Sequence, residues 1–312
     1  MKILLITQYA EEIVNQKLPE NPVLCKHYQR YHLAVYNALL KLNYEVIVKN
    51  GMENDIAQHI STCNLVFCIR HDFGFLNSDI NIPLLCKKLN KKIVGSAVYA
   101  KFYDSDKIVG KILAEKLKIP TSKYDFIYNV NKLKFNPPYL LKPRFSASSA
   151  DLSDWNICYS LNELLEKIKQ VKAEQYFIEQ FIQGNTITIG AYYKSNDHSV
   201  IIPEPYILNS RVNKVISYLD KKTGGCIKNE STNTKVNKKI KHFAKKYFQF
   251  MQPCQLARFD FMLSNSNELY FLEVNTTPNL SDSGGFVKNF TSKHFESYED
   301  FINAIINDAL QI

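Results

Sequence analysis

Asp260, Glu273 and Asn275 are the residues of this chain whose types and spacing could do chemistry together. They lie in the stretch from Leu256 to Pro278, LARFDFMLSNSNELYFLEVNTTP, which reads as a β-hairpin. Arg258 to Leu263 alternates polar and apolar residues at period two. Ser264-Asn-Ser-Asn supplies turn chemistry, and Leu269 to Val274 forms the return strand. Alternation puts Glu273 and Asn275 on one face. With Asp260 facing the same way from the neighbouring strand, three oxygen ligands converge. That set suits Mg²⁺, which takes one or two carboxylates and completes its octahedron with water and substrate phosphate. Taken alone, the trio reads better as a hairpin whose acids face solvent. Arg258 two residues before Asp260, and Thr276-Thr277-Pro278 after Asn275, extend it to R-x-D-x12-E-x-N-T-x-P.

The elements that must position this hairpin read as follows. Residues 1–97 alternate strands and helices: strand Ile3–Ile6, helix His27–Leu42, strand Tyr44–Val48, strand Asn64–Ile69, helix Ile80–Leu89 and strand Lys92–Val94. That is a small parallel α/β sheet with crossovers. Pro19 and Pro22 keep the connection 7–26 non-helical. This loop, and Arg70-His71-Asp72-Phe73-Gly74 after a later strand, fall on the edge where open α/β sheets bind ligands. Arg70 and His71 are therefore candidate substrate residues, with an ordinary surface position the equal alternative.

A helix Ser105–Leu117 follows Asp106-Lys107 and leads to Ile119-Pro120-Thr121. Next, a strand ending in Lys142-Pro143 runs into Arg-Phe-Ser-Ala-Ser-Ser-Ala, a small-residue loop in which backbone N–H groups can approach phosphate. Phe177–Ile182 is a strand whose apolar flanks, Phe181 and Ile182 among them, suit a flat adenine, with backbone groups for its edge. Strands Thr186–Tyr193 and Ile201–Ile207, a basic loop Asn209–Ile227 and helix Asn237–Phe250 lead to the hairpin. A turn with Ser281, Ser283 and Gly284 follows, then an amphipathic helix Tyr298–Leu310.

The 312 residues allow two or three subdomains with a sizeable core. No uncharged apolar run reaches the roughly 18 residues of a membrane span, and the start is too short for a signal peptide. Seven cysteines without a C-x-x-C pair read as reduced thiols of a cytoplasmic protein. The net charge of +9 is concentrated in residues 211–246, which hold eleven Lys/Arg against Asp220 and Glu230. That segment lacks the interleaved aromatics of a single-strand nucleic-acid binder, and no nucleic-acid partner is expected. A solvated helix face, or attraction of anionic substrates into a cleft, accounts for it.

The R-x-D-x12-E-x-N-T-x-P run resembles the metal-binding signature of the ATP-grasp ligases, most of all the D-alanine–D-alanine ligase group. The D-K-x3-K run before I-P-T, Lys142-Pro143 and Phe177-Ile-Glu-Gln-Phe-Ile resemble that group in the same order. The resemblance implies an α/β (α+β) ATP-grasp fold preceded by a parallel α/β domain. Its expected parts are residues 1–98 on the acceptor side, 99–183 as the central lid and 184–312 carrying the metal site. It implies an ATP-dependent, ADP-forming carboxylate–amine ligase acting through an acyl phosphate on amino acids or peptides. ATP and two Mg²⁺ ions (Mn²⁺ as an alternative) are the implied cofactors, and a homodimer the implied assembly.

By the same resemblance Lys107, Lys142 and Lys221 touch nucleotide phosphates. Ser148 and Ser149 lie in the lid over the γ-phosphate, and Glu179 and Thr186 fall at the two acidic positions of the nucleotide hinge. Tyr218-Leu-Asp-Lys221 fits the Tyr-x-x-Lys run of a mobile loop. Arg258 faces the oxyanion of the tetrahedral intermediate, while Glu273 bridges two ions, with Asp260 on one and Asn275 on the other. Departures are evident as well. Ala147, Asp151, Thr186, Lys222 and Gly284 replace the residue types of the pattern, and only Glu11 and Glu12 offer stand-ins for the substrate-facing glutamate near the start. The substrate pair is accordingly left open, as two D-alanines or a different pair. A small-molecule kinase on the same scaffold and a non-catalytic nucleotide-binding regulator are the competing readings; the intact Asp260/Glu273/Asn275 set argues against the second.

Overall fold

The computed structural model of the chain describes residues 1–15, 27–70, 78–146, 151–210, 214–216, 226–231, 233–282 and 284–312. The candidates His71, Ser148, Ser149, Tyr218, Lys221 and Ser283 lie outside the described residues.

The chain opens with β1 (Lys2–Ile6), α1 (Ala10–Val14), α2 (His27–Lys41), β2 (Glu45–Lys49), α3 (Ile56–Thr62), β3 (Leu65–Cys68), α4 (Ser78–Lys88) and β4 (Lys92–Val94). The four strands form a parallel sheet in the order β2-β1-β3-β4. Ile3 to Ile6 are fully buried, as a strand covered on both faces must be. Two expectations need correction here. The connection 7–26 is not wholly non-helical, since α1 forms upstream of Pro19 and Pro22, which cannot break it. Helix α3 was not anticipated, because seven residues are too few to display a helical period.

Next come α5 (Val98–Ser105), α6 (Lys107–Lys116), β5 (Tyr124–Phe126), β6 (Tyr139–Pro143), β7 (Ile157–Cys158), α7 (Leu161–Ile168) and β8 (Tyr176–Gln180). The helix expected over Ser105–Leu117 is α6, and α5 before it was not anticipated. Asp106 between them is extended (φ −123°, ψ 108°), and its carboxylate caps α6 by accepting the Ile108 N–H at 3.0 Å. The strands pair antiparallel in the order β5-β8-β6-β7.

The last part comprises β9 (Gly184–Lys194), β10 (Ser199–Ile201), β11 (Tyr206–Ser210), β12 (Cys226–Glu230), α8 (Thr234–Phe250), β13 (Leu256–Ser264), β14 (Leu269–Asn275), α9 (Gly285–Thr291) and α10 (Tyr298–Gln311). The sheet order is β12-β11-β9-β13-β14, with β10 on β9. The strand expected over Ile201–Ile207 is divided into β10 and β11. Pro203 and Pro205 fall in the gap, where neither can donate to a ladder. Helix α8 begins before the expected Asn237, capped by the Asn233 side chain, which accepts the Val236 N–H at 3.2 Å. Its buried stripe of Val236, Ile240, Ala244, Tyr247 and Phe248 has helical spacing and packs on Phe259, Phe261 and Phe271 beneath the sheet. A second core cluster joins the first sheet to α9 and α10, with Phe290 stacked on Phe301 at 5.6 Å. No helix among the described residues is long and apolar enough to cross a membrane.

Candidate active site

The face of the β9/β13/β14 sheet opposite α8 carries the candidate residues of the hairpin. Tyr206, Thr188, Asp260 and Glu273 stand opposite one another across four neighbouring strands. Gly190, Arg258 and Asn275 make the next row on the same face, and Thr186 with Met262 the row on the other side. Asp260 and Glu273 are thus direct cross-strand neighbours, and Arg258 faces Asn275. The ladder is interrupted once. Beyond the Asp260–Glu273 pair, Phe261 faces Phe271, so Leu272 is an extra residue on β14. Leu272 and Glu273 are both half-buried on the open side, between the buried Phe271 and Val274.

Each acid has a cation of its own. The Arg258 guanidinium forks onto Asp260, with Nε 3.1 Å from Oδ1 and Nη2 2.8 Å from Oδ2. Thr188 adds a hydroxyl 2.8 Å from Asp260 Oδ1. Burial works against the Arg258 charge, but Asp260 outweighs it and pushes the pKa above its ordinary value. Lys107 Nζ lies 3.6 Å from Glu273 Oε2 and also donates to the Ser146 carbonyl. Burial pulls the Lys107 pKa down, against the opposing pull of Glu273. Asn275 Oδ1 accepts the Thr277 N–H at 2.9 Å, and Asp104 on α5 holds the next residue, Thr276, by both N–H and hydroxyl at 2.8 Å. The turn after β14 is thereby fixed next to Asn275.

Lys142, at the end of β6, lies 3.1 Å from Glu179 Oε2. Glu179 is itself 2% exposed, and its other oxygen contacts Lys111 Nζ at 2.5 Å and accepts from Ser122. Its side chain is committed to these partners, so what β8 can offer a nucleotide edge is backbone rather than this carboxylate. Lys111 is the residue that sequence reasoning passed over. The signal was present in the D-K-x3-K run, which places it one helical turn after Lys107.

Phe181 and Ile182 are half-buried between β8 and β9. Gly184 then crosses β13 so closely that a Cβ there would sit 2.0 Å from the Leu263 carbonyl oxygen. The Phe181 ring packs with Leu140, Ile157 and Val215. Val215 belongs to the β11–β12 connection, which Asp154 ties to the β6/β7 side by accepting the N–H groups of Lys214 at 2.9 Å and Val215 at 3.0 Å.

The remaining candidates are dispersed. Arg70 follows β3 and donates to the Asn50 carbonyl at 3.1 Å and to its side chain. On α1, Glu11 is exposed and Glu12 half-buried. Ser281 is 3% exposed, and its hydroxyl has no hydrogen-bond partner among the described residues. Gly284 precedes α9, and a Cβ there would lie 2.9 Å from that same hydroxyl.

A family profile described as "D-ala D-ala ligase C-terminus" matches residues 113–307. The D-alanine–D-alanine ligase of Carboxydothermus hydrogenoformans is 27% identical over 292 residues, covering 88% of this chain and 90% of that protein. That of Francisella philomiragia is 22% identical over 283 residues, covering 88% and 91%. The fold is shared with the ATP-complexed D-alanine–D-alanine ligase of Bacillus anthracis. The TM-score is 0.75 at 17% identity, with 100% of this chain and 98% of that one covered. It is shared equally with a D-Ala:D-Ser ligase from Enterococcus faecalis, with a TM-score of 0.71 at 14% identity and 99% of each chain covered. With a profile match over more than half of its length and an ATP-grasp fold behind the N-terminal parallel sheet, the chain belongs to the D-alanine–D-alanine ligase family of ATP-dependent carboxylate–amine ligases.

Proposed function

We propose that this ligase converts the carboxylate of one amino acid or peptide to an acyl phosphate and passes the acyl group to the amine of a second. A carboxylate oxygen attacks the γ-phosphorus and the bond to ADP breaks. The amine nitrogen then attacks the acyl carbon, phosphate leaves, and the amine gives up a proton. The observation that carries the reading is Asp260 facing Glu273, with Asn275 one row away and Arg258 and Lys107 beside them.

The donor set is all hard oxygen and fits Mg²⁺, or Mn²⁺ in its place. Two ions would be held by Asp260, Glu273 and Asn275, with Glu273 shared, and when bound would neutralise charge on the transferring phosphoryl group. Lys107 and Lys142, with Lys221 from the β11–β12 connection, bind phosphate. Ser148 and Ser149 cover the γ-phosphate. The backbone at Glu179 with Phe181 and Ile182 receives adenine, and Thr186 the ribose. Arg258 stabilises the oxyanion formed when the amine attacks. Arg70 and His71 serve the first substrate, Tyr218 the closing loop, and Ser281, Ser283 and Gly284 the carboxylate of the second.

The clash that a side chain at Gly284 would make with Ser281 supports an acceptor subsite unlike one built on a serine at 284, and hence a pair other than two D-alanines. A cytoplasmic setting and a homodimer complete the reading; the free thiols of Cys63, Cys68, Cys86, Cys158 and Cys254 agree with the first, and sedimentation equilibrium tests the second.

The central test incubates the protein with ATP, Mg²⁺ and amino acids of both chiralities, singly and in pairs. ADP and phosphate release that requires a specific pair, with a dipeptide mass in the products, is the expected result. AMP and pyrophosphate, or a stable phosphorylated product from a single substrate, would overturn it.

A further inference from the structure

Lys111 is fully buried on α6, and its ammonium group meets four oxygens from three parts of the fold. Thr121 Oγ1 at 2.8 Å and Ser122 Oγ at 3.0 Å precede β5, Glu179 Oε1 at 2.5 Å is on β8, and the Phe271 carbonyl at 3.3 Å is on β14, two residues before Glu273. An ammonium has three hydrogens to give, and all of them are engaged by these groups. No part of Lys111 is exposed, so it cannot touch substrate. Lys142, by contrast, shares Glu179 through its second oxygen at 3.1 Å.

The charges decide what this arrangement does. A buried carboxylate demands a counter-cation, and breaking such a pair leaves an uncompensated charge in a poorly solvated place. With Lys111 present, Glu179 has two cations, and one of them can turn to a phosphate while the other stays. Lys111 and Lys142 set two ammoniums against the one carboxylate of Glu179, which leaves this cluster cationic toward a triphosphate. Without Lys111 the cluster is neutral, and Lys142 is the only ammonium left on Glu179.

We infer that Lys111 is a positioning residue that neutralises Glu179 so that Lys142 is available to nucleotide phosphate. It also pins β14, and with it Glu273, to the nucleotide hinge. The inference rests on the proposed phosphate-binding role of Lys142. It extends that role to a side chain that touches no substrate.

The experiment measures ADP and ATP binding with Mg²⁺ by isothermal titration, which requires no knowledge of the amino-acid pair, on the full-length wild type and on Lys111→Met, Lys111→Arg and the double variant Lys111→Met/Glu179→Gln. Thermal unfolding of each variant confirms that it is folded. Lys111→Met is expected to weaken nucleotide binding at least tenfold, and Lys111→Arg to recover part of the loss. The double variant, with cation and anion both removed, is expected to bind within threefold of wild type. A residue that served only to fill space would show no such recovery. Binding by Lys111→Met within twofold of wild type, or a double variant as weak as the single one, overturns the inference. Should Lys111→Met not fold, the double variant and Lys111→Arg decide: weak binding by a folded double variant overturns it, and near-wild-type binding supports it. Failure of the wild type itself to bind nucleotide would instead strike the proposed function.

Discussion

Asp260 faces Glu273 directly across the β13–β14 ladder, and each carboxylate is held by a different cation, Arg258 on the first and Lys107 on the second. Like charges placed opposite one another weaken a sheet; here the two cations offset that cost.

Glu273→Gln removes the shared ligand of the proposed metal site while keeping its shape. ADP formation is expected to fall about 10³-fold, the equivalent of several kcal/mol of lost charge stabilisation at the transferring phosphoryl group. Stability should change little, because relief of the opposing acids is offset by the loss of the carboxylate beside the buried Lys107. Coupled-assay turnover and thermal unfolding on the same preparations check both; turnover within fivefold of wild type would remove Glu273 from the chemistry.

Arg258→Met leaves Asp260 buried without its guanidinium, and among the described residues only the Thr188 hydroxyl remains on it. A loss of about 3 kcal/mol in unfolding free energy is expected, typical of breaking a buried ion pair. Adding Asp260→Asn should return a good part of it. Urea denaturation of the two variants measures this, and a double variant less stable than Arg258→Met alone would contradict it.

Acid stability has a defined window. Burial alone would raise the pKa of Glu179, but Lys111 and Lys142 outweigh it and bring it from about 4.5 to about 2. A carboxyl whose pKa is lower in the folded than in the unfolded chain contributes stability that is complete above about 4.5. That contribution is lost as pH falls toward about 2, at no more than roughly 1.4 kcal/mol per pH unit. Glu179→Gln should therefore have the shallower decline between those two values. Urea midpoints of the two proteins across that range give the comparison, and parallel declines would refute it.

At the proposed acceptor subsite, Ser281→Ala should raise the KM of the amine substrate roughly tenfold, with kcat little changed, as expected for losing one hydrogen bond to a charged group. Gly284→Ser should have a similar effect for a different reason, since its Cβ arrives 2.9 Å from the Ser281 hydroxyl and displaces it. Steady-state kinetics with the identified pair provide the check. An improved KM in Gly284→Ser would show that the subsite accepts a serine there after all.

The hairpin was legible because its alternation is local, and a short turn of Ser and Asn residues brings two adjacent runs together as neighbouring strands. Asp106 between Ser105 and Lys107 was harder to read. A helix cap and a helix-interior acid look alike until the backbone is seen to be extended. The two prolines dividing β10 from β11 were visible but were absorbed into one apolar run. The Glu179 carboxylate was expected at the nucleotide hinge, yet its charged partners come from α6 and β6, more than thirty residues away in sequence. No period or spacing encodes a contact of that kind. The same holds for Asp154 and Val215, which meet only because the β11–β12 connection crosses to another sheet.

Leu272 has no residue facing it on β13. Written without it, the strand reads Leu-Tyr-Phe-Glu-Val-Asn, an unbroken alternation that keeps Leu269, Phe271 and Val274 inward and Tyr270, Glu273 and Asn275 outward. Loss of this one codon would therefore spare the apolar face and every oxygen ligand. What it would change is the angle at which Glu273 meets Asp260, since a bulge bends and twists its strand. The deletion variant is expected to fold and to turn over poorly. Seen this way, Leu272 works as a spacer: a side chain without reactivity whose mere insertion aims a carboxylate.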